Sequence, residues 1–261
     1  MTDDTIYQMT RETSRDDPSI VQYWHSDEMP AEIEALTASF RELNPDLRHR
    51  IFCEAEARQF IADRFTRSEV AAFDSCAVPA MQADYFRYCA VLAFGGVYSD
   101  ADFRCIQPLR GLIEKIEGGL LFRREPRGNL VNGFFAFHRP GHPLLRIALD
   151  VATANIERRA AKRVNAVTGP LIFTCLSALH RAGSMDAARR LAVDASMRRL
   201  VEPMLDVIDD YTQVAEAFED VKIEPFETAG AWVVNPNTTP EYKLGNDHWV
   251  NWHERRGSIF R

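Results

Sequence analysis

The sequence predicts an α/β fold built on a mixed, mostly parallel sheet flanked by helices, and three consecutive segments carry that prediction. The run Ile20-Val21-Gln22-Tyr23-Trp24 is β-branched and aromatic, follows Pro18 and gives way to a polar stretch, as a core strand does when it leaves a sheet. Residues 30–43 then place Ile33, Leu36, Phe40 and Leu43 at helical spacing, and Asn44-Pro45 ends that helix. A second short strand reads at 50–53. Strand, helix and strand in this order, with a short crossover, begin a parallel sheet.

The elements that follow extend the same architecture. Between Pro79 and Phe94 the apolar residues Met81, Tyr85, Tyr88, Val91, Leu92 and Phe94 support a helix, and Gly95-Gly96 supplies the positive-φ stop that helices favour. Val97-Tyr98 opens a short extended segment that runs into Ser99-Asp100-Ala101-Asp102. Further strands read at 119–123 and 133–138, and helices at 144–157 and 171–180. A helical pattern interrupted at Pro203 occupies about 185–220 and reads as an insertion, so extra helices fall in the C-terminal half. Val221–Ile223 and Trp232–Val234 suggest late strands. With 261 residues and 46% hydrophobic composition, one domain spanning 1–261 can bury a sizeable core, residues 1–17 reading as a flexible start.

Composition narrows the function classes. Thirty-one basic against thirty-eight acidic residues give a net charge of -7, which repels phosphate polymers and argues against a nucleic-acid partner. The five cysteines, at 53, 76, 89, 105 and 175, are odd in number and widely spaced, without a CxxC pair, so neither a disulfide framework nor a zinc site is expected. The acidic, polar opening MTDDTIYQMTRETSRDD lacks the pattern of a secretory signal, and apolar runs such as Cys89–Phe94 are far shorter than the ~20 residues of a membrane helix. The expectation is a cytoplasmic protein with at most peripheral membrane contact.

The chemistry concentrates between Asp84 and Asp102. Asp84 and Arg87 lie three apart on a helix and so project from one face. Asp100 and Asp102 lie two apart, and in an extended segment their carboxylates point to the same side. Two convergent carboxylates offer hard oxygen ligands suited to Mn²⁺ or Mg²⁺, which can in turn hold a diphosphate. An enzyme that uses a nucleotide-sugar needs this, because its leaving group is a nucleoside diphosphate whose charge must be neutralised. An Asp-x-Asp spacing alone is common by chance and fits a solvated turn equally well, as Asp84 with Arg87 fits a surface salt bridge. It is the order of helix, Gly-Gly stop, Val-Tyr strand and Asp pair that favours a site.

That order resembles the DXD-containing sugar-binding region of the Och-type mannosyltransferases and capsular-polysaccharide glycosyltransferases, a family-32-like group distantly similar to the large clostridial glucosylating toxins. Asp84, Arg87, Gly95-Gly96, Tyr98, Asp100 and Asp102 match its central motif in order and spacing. Asn132-Gly133-Phe134, His142-Pro143 and Thr168-Gly169-Pro170 resemble its downstream landmarks, so the similarity spans roughly residues 18–175. The resemblance implies a GT-A-type nucleotide-sugar-binding fold and a retaining, metal-dependent transfer of a hexose from a UDP- or GDP-linked donor. A glycan, lipid-linked or other hydroxyl would be the acceptor, in surface polysaccharide or glycoconjugate synthesis.

The resemblance also implies roles. Asp102 binds the metal directly, and Asp100 binds it through water or hydrogen-bonds the donor. Asp84 and Arg87 grip sugar hydroxyls, Trp24 stacks on the base next to Gln22 and Tyr23, and Tyr98, Asn132, Thr168 and Gly169 complete the nucleotide-sugar site. Near the C-terminus the family's His-rich segment and Gly-Ser-Trp are replaced by Asp247-His248-Trp249-Val250-Asn251-Trp252-His253 and Gly257-Ser258-Ile259. His248 with Trp252, or His253 with Ser258, is the match there, with the His as a metal ligand and Trp252 against the phosphate. No residue stands out as a covalent nucleophile. A nucleotide-sugar hydrolase and a binding protein without turnover are the alternatives.

Overall fold

The computed structural model describes residues 19–126, 128–187, 204–208, 210–235 and 258–261. Strand β1 (Ile20–Tyr23) is followed by helix α1 (Ala31–Leu43) and strand β2 (His49–Phe52), as expected. Helices α2 (Glu54–Arg64) and α3 (Arg67–Ser75) come next, then α4 (Pro79–Phe94), β3 (Gly96–Ser99) and β4 (Arg104–Cys105). The short α5 (Arg110–Ile113) leads to β5 (Gly119–Arg124) and β6 (Asn129–Phe137), and then α6 (Pro143–Glu157), α7 (Val164–Val167) and α8 (Leu171–Ala182). The remaining elements are α9 (Tyr211–Ala217), β7 (Val221–Pro225), α10 (Phe226–Ala229) and β8 (Val233–Val234).

Six strands form one sheet in the order β2-β1-β3-β6-β5-β7, and β4 pairs with β8 in a separate ribbon. β1 runs parallel to β2 and β3, and β7 runs parallel to β5, while β6 is antiparallel to both its neighbours. The sheet is therefore mixed, with its parallel half at the N-terminal end.

Alternation along the strands divides the core in two. Val21, Tyr23, Tyr98, Phe135 and Phe137 point into a large cluster beneath α4, α6 and α8. Ile20, Val97, Phe134 and Ala136 point the other way, into a cluster that includes Phe40 of α1. Strands covered on both faces must be apolar at nearly every position, which is why β1 and β6 read as continuous rather than alternating hydrophobic runs. Helix α4 is likewise buried on almost every side, so its sequence shows little amphipathic bias. Pro79 occupies its first turn, and the chain leaves it through Gly95 and Gly96 at φ 68° and 77°. At Gly96 a Cβ would stand 2.5 Å from the carbonyl oxygen of Ser19, so only glycine lets β3 start this close to β1.

Among the described residues the structure adds helices the hydrophobic pattern does not signal, of which α2 and α3 are the longest, with the short α5, α7 and α10 beside them. Both α2 and α3 open with capping boxes, Cys53 with Glu56 and Thr66 with Glu69. Thr66-x-x-Glu69 is a sequence-legible start signal in its own right. Of the expected insertion at about 185–220, helix α9 and the short stretch 204–208 are described, and residues 188–203 and 209 lie outside the described set, as do 1–18. All five cysteines are free thiols. Among the described residues no helix is long and apolar enough to cross a membrane.

Candidate active site

Strand β3 delivers Asp100 to the end of the sheet next to the middle of β6, and helix α4 crosses beneath them. The expectation that Asp100 and Asp102 share one side of an extended strand is corrected here. β3 ends at Ser99, the Asp100 N–H donates to the Gly133 carbonyl at 2.7 Å, and the chain then turns, with the Phe103 N–H donating back to the Asp100 carbonyl at 3.2 Å. The turn has a packing cause. Ala101 is buried against Trp24, Ile33 and Leu36, while Phe103 is buried in the cluster with Phe40 and Phe134.

The pair Asp84 and Arg87 lies inside the protein, 7% and 3% exposed, and is no surface salt bridge. Arg87 Nη1 stands 3.0 Å from Asp84 Oδ1 and donates to the Asn132 carbonyl at 2.7 Å. Its Nη2 donates to Asp100 Oδ1 at 2.9 Å and its Nε to the Ala83 carbonyl at 3.2 Å. The guanidinium also lies 4.7 Å from the centre of the Tyr98 ring, whose hydroxyl donates to Asp100 Oδ1 at 3.1 Å. All three of its nitrogens are thus committed, and the fork serves carboxylates of the chain itself.

Asp84 is held from its other side. Asn132 Nδ2 donates to Oδ1 at 2.9 Å and the Thr168 hydroxyl approaches Oδ2 at 3.4 Å. Tyr88, fully buried on α4, donates to the carbonyls of Thr168 at 2.9 Å and Gly169 at 3.3 Å and so pins the turn that presents Thr168. In the sequence Tyr88 reads as one of the apolar residues of the helix, with no sign of a place in the site. Its place one helical turn beyond Asp84 is the signal that sets it on the same face.

Gln22 joins the cluster from the opposite face of the sheet. It is fully buried, and its side-chain amide donates to the Asp100 carbonyl at 3.2 Å, while its Oε1 faces His49 Nε2 at 2.7 Å. Arg87 therefore grips the carboxylate of Asp100 from the α4 side and Gln22 grips its carbonyl from the α1 side. Tyr23 stays apart, buried and donating to Gln82 Oε1 at 3.0 Å. Trp24 is only 9% exposed, with its indole N–H on the Glu28 carbonyl at 3.1 Å. His248, His253 and Trp252 lie outside the described residues.

Burial dominates the electrostatics. It raises the Asp84 carboxyl above its ordinary range against the pull of Arg87, and it pushes Asp100 up to about 7, again opposed by Arg87. Burial works against the charge of Arg87, but Asp100, Tyr98 and Asp84 outweigh it and raise its pKa. Two carboxylates, Asp84 and Asp100, thus flank one guanidinium, and the charge of Asp102 bears on Asp100. The excess negative charge suits a further positive ion. Among the described residues no three His, Cys, Asp or Glu side chains gather into a closed metal cage. A pair of carboxylates with room left for substrate oxygens is how Mg²⁺-like cations are held when a phosphate completes the shell.

Residues 24–118 match the family model described as a glycosyltransferase sugar-binding region containing a DXD motif. The chain is 29% identical to the initiation-specific alpha-1,6-mannosyltransferase of Schizosaccharomyces pombe over 61% of its own length and 47% of the relative's. It is 28% identical to inositol phosphoceramide mannosyltransferase 3 of the same yeast, over 49% of its own length and 35% of the relative's. It therefore spans less than half the length of these curated relatives. Among solved structures, PaToxG glycosyltransferase aligns with a TM-score of 0.49 at 18% identity, covering 77% of this chain and 87% of that one. The matched stretch, residues 24–118, carries Asp84, Arg87, Asp100 and Asp102 and ends before Asn132 and Thr168.

Proposed function

We propose that this protein is a retaining glycosyltransferase that moves a hexose, with mannose the first candidate, from a UDP- or GDP-linked donor to a hydroxyl of a glycan or lipid-linked acceptor. The observation that carries this reading is the buried Asp84–Arg87–Asp100 network at the end of β3. A protein gains little stability from burying two carboxylates around one guanidinium, since desolvation offsets their attraction. Its use lies in fixing the geometry of Asp100.

In this reading Asp102 and Asp100 hold Mn²⁺ or Mg²⁺ together with the donor diphosphate. The ion, when bound, would neutralise the charge that appears on the leaving diphosphate. The chain's own groups do the rest. Arg87 and Tyr98 keep the Asp100 carboxylate in one orientation, and Gln22 fixes the backbone of the turn. Asp84, Asn132 and Thr168 form a buried, mutually hydrogen-bonded group that fixes Arg87 from behind. Trp24, packed against Ala101, braces the turn. Transfer then proceeds by attack of the acceptor hydroxyl on the anomeric carbon, on the face from which the diphosphate leaves, and the hydroxyl gives its proton to that departing diphosphate; among the described residues none stands out as a covalent nucleophile. A cytoplasmic setting fits the free thiols.

A thermal-shift screen of UDP- and GDP-sugars with and without Mn²⁺ tests the proposal. A donor that binds the native state raises the melting temperature, by an amount that grows with its concentration above Kd. The expected result is a metal-dependent rise for one nucleotide series, followed by transfer to an acceptor in excess of hydrolysis. Silence from every nucleotide-sugar at millimolar concentration would end this reading.

A further inference from the structure

We propose that Gly133 is a positioning residue of this site, because its missing side chain is what lets the Asp100 carboxylate stand with Oδ2 as its only uncommitted oxygen. That role rests on the reading of Asp100 as a group serving a cation and a nucleotide donor. Oδ1 of Asp100 accepts from both Arg87 Nη2 at 2.9 Å and the Tyr98 hydroxyl at 3.1 Å. Among the described residues no donor reaches Oδ2, and the Asp100 side chain keeps 32% of its accessibility. Gly133 sits on β6 directly beside it, bonded to the Asp100 N–H through its carbonyl.

A Cβ on residue 133 would lie 2.4 Å from Asp100 Oδ2 and 3.2 Å from Cγ. The nearer contact is about 1 Å inside ordinary van der Waals distance, so one partner must move. The β6 backbone is held on both sides, by β3 and by β5. The carboxylate is the part free to yield, and it can do so only by breaking its bonds to Arg87 and Tyr98. A methyl group at 133 would therefore occupy the space next to Oδ2 and also release Oδ1 from its two donors. Nothing about the φ of Gly133 demands glycine here. The space is the requirement.

The test compares four proteins: wild type, Gly133→Ala, Asp100→Ala and the double variant. Binding of Mn²⁺ alone, and of UDP and GDP with and without Mn²⁺, is followed by calorimetry, and the melting temperature is taken on the same samples without ligand. Gly133→Ala should weaken metal-dependent nucleotide binding by about ten- to a hundredfold, the range for groups that orient a metal's ligands. It should also lower the melting temperature. In the Asp100→Ala background the same substitution should change neither, because the carboxylate it would strike is gone.

Two results overturn the role. One is unchanged metal-dependent affinity in Gly133→Ala, and the other is an equal loss of melting temperature in both backgrounds, which marks a glycine needed for the strand alone. Should Gly133→Ala fail to fold, Tyr98→Phe removes one donor to Oδ1 and keeps the ring under Arg87. It should weaken the same binding about tenfold, the lower end of such effects, and an unchanged affinity sinks the idea equally. If the wild type itself binds neither nucleotide with Mn²⁺, the glycosyltransferase reading fails first and the role of Gly133 falls with it.

Discussion

Two arginine–aspartate pairs in this molecule look alike on paper and differ in what they do. Arg58 meets Asp74 through two parallel bonds of 2.7 and 2.8 Å between α2 and α3, with side chains 50% and 40% exposed. Arg87 meets Asp84 and Asp100 at 3.0 and 2.9 Å with its own side chain 4% exposed. The exposed pair has the better fork geometry. Water already satisfies those charges, so joining them contributes little. Arg87 and Asp84 have no such solvent alternative, and each guanidinium nitrogen depends on a specific neighbour. Good geometry at the surface is thus a poor guide to importance, and burial of unequal charge is a better one.

Removing the buried cation is the most severe way to probe this contrast. Arg87→Met keeps the bulk of the side chain but strands two carboxylates, and should cost about 3–5 kcal/mol of stability, the range for breaking a buried ion pair. Denaturant unfolding of the purified variant checks it. A loss below 1 kcal/mol would place Arg87 on the same footing as Arg58. Arg87→Lys sharpens the point, since charge is kept while the planar fork is lost, and nucleotide-sugar turnover should still fall at least tenfold.

Asp102→Asn separates site from scaffold. It should abolish transfer assayed with excess Mn²⁺ while the melting temperature stays within a few degrees, because the side chain serves charge and not the core. Full turnover in that variant would remove Asp102 from the chemistry.

A smaller effect comes from the α1 side of the same turn. His49 is held neutral, its pKa lowered to about 4 by burial, and its Nδ1 is buried without a partner. The unfolded chain takes up that proton near the ordinary value of 6.5, so the contribution is fully present above that pH and is lost as pH falls toward 4. Its slope is at most about 1.4 kcal/mol per pH unit. Unfolding curves of the wild type and His49→Gln between pH 7 and 4.5 should converge toward the acid end, and parallel curves would show that His49 does not titrate in this way. Smallest of all, Arg58→Ala should change stability by about 0.2–1 kcal/mol.

Much of this was legible in the sequence, for definite reasons. β1, α1, β2, α4 and β3 announce themselves because both faces of the sheet are covered and punctuation such as Asn44-Pro45 and Gly95-Gly96 is strong. The spacing of Asp84 and Arg87 predicts that they meet, and they do. Spacing cannot say that they meet inside the protein, because a helix buried all round carries no amphipathic signal to mark which face is solvent. The turn at Asp100 was hidden because Ala101 and Phe103 are both apolar, and only the tertiary structure decides that they pack into different clusters. The bond from Gln22 to the Asp100 carbonyl was hidden too, since it needs the parallel register of β1 and β3. A Gly in a strand pattern signals close approach, yet nothing in the chain names Asp100 as what approaches Gly133.

The site is also an assembly of distant segments. Gln22 reaches across 78 residues to Asp100, Asn132 across 48 to Asp84, and Thr168 across 84 to Asp84. Each such link closes a long loop whose entropy must be overcome before any contact rewards it. The Asp100 turn should therefore be among the last parts of the protein to acquire its native form, maturing only once β6 has docked against β3. The stretch that carries the recognisable motif, residues 24–118, ends before Asn132, Gly133 and Thr168. Expressed alone, it would hold the acidic pair without the strand that orients it. The smallest piece of this chain able to hold Asp100 as described must run on past Thr168.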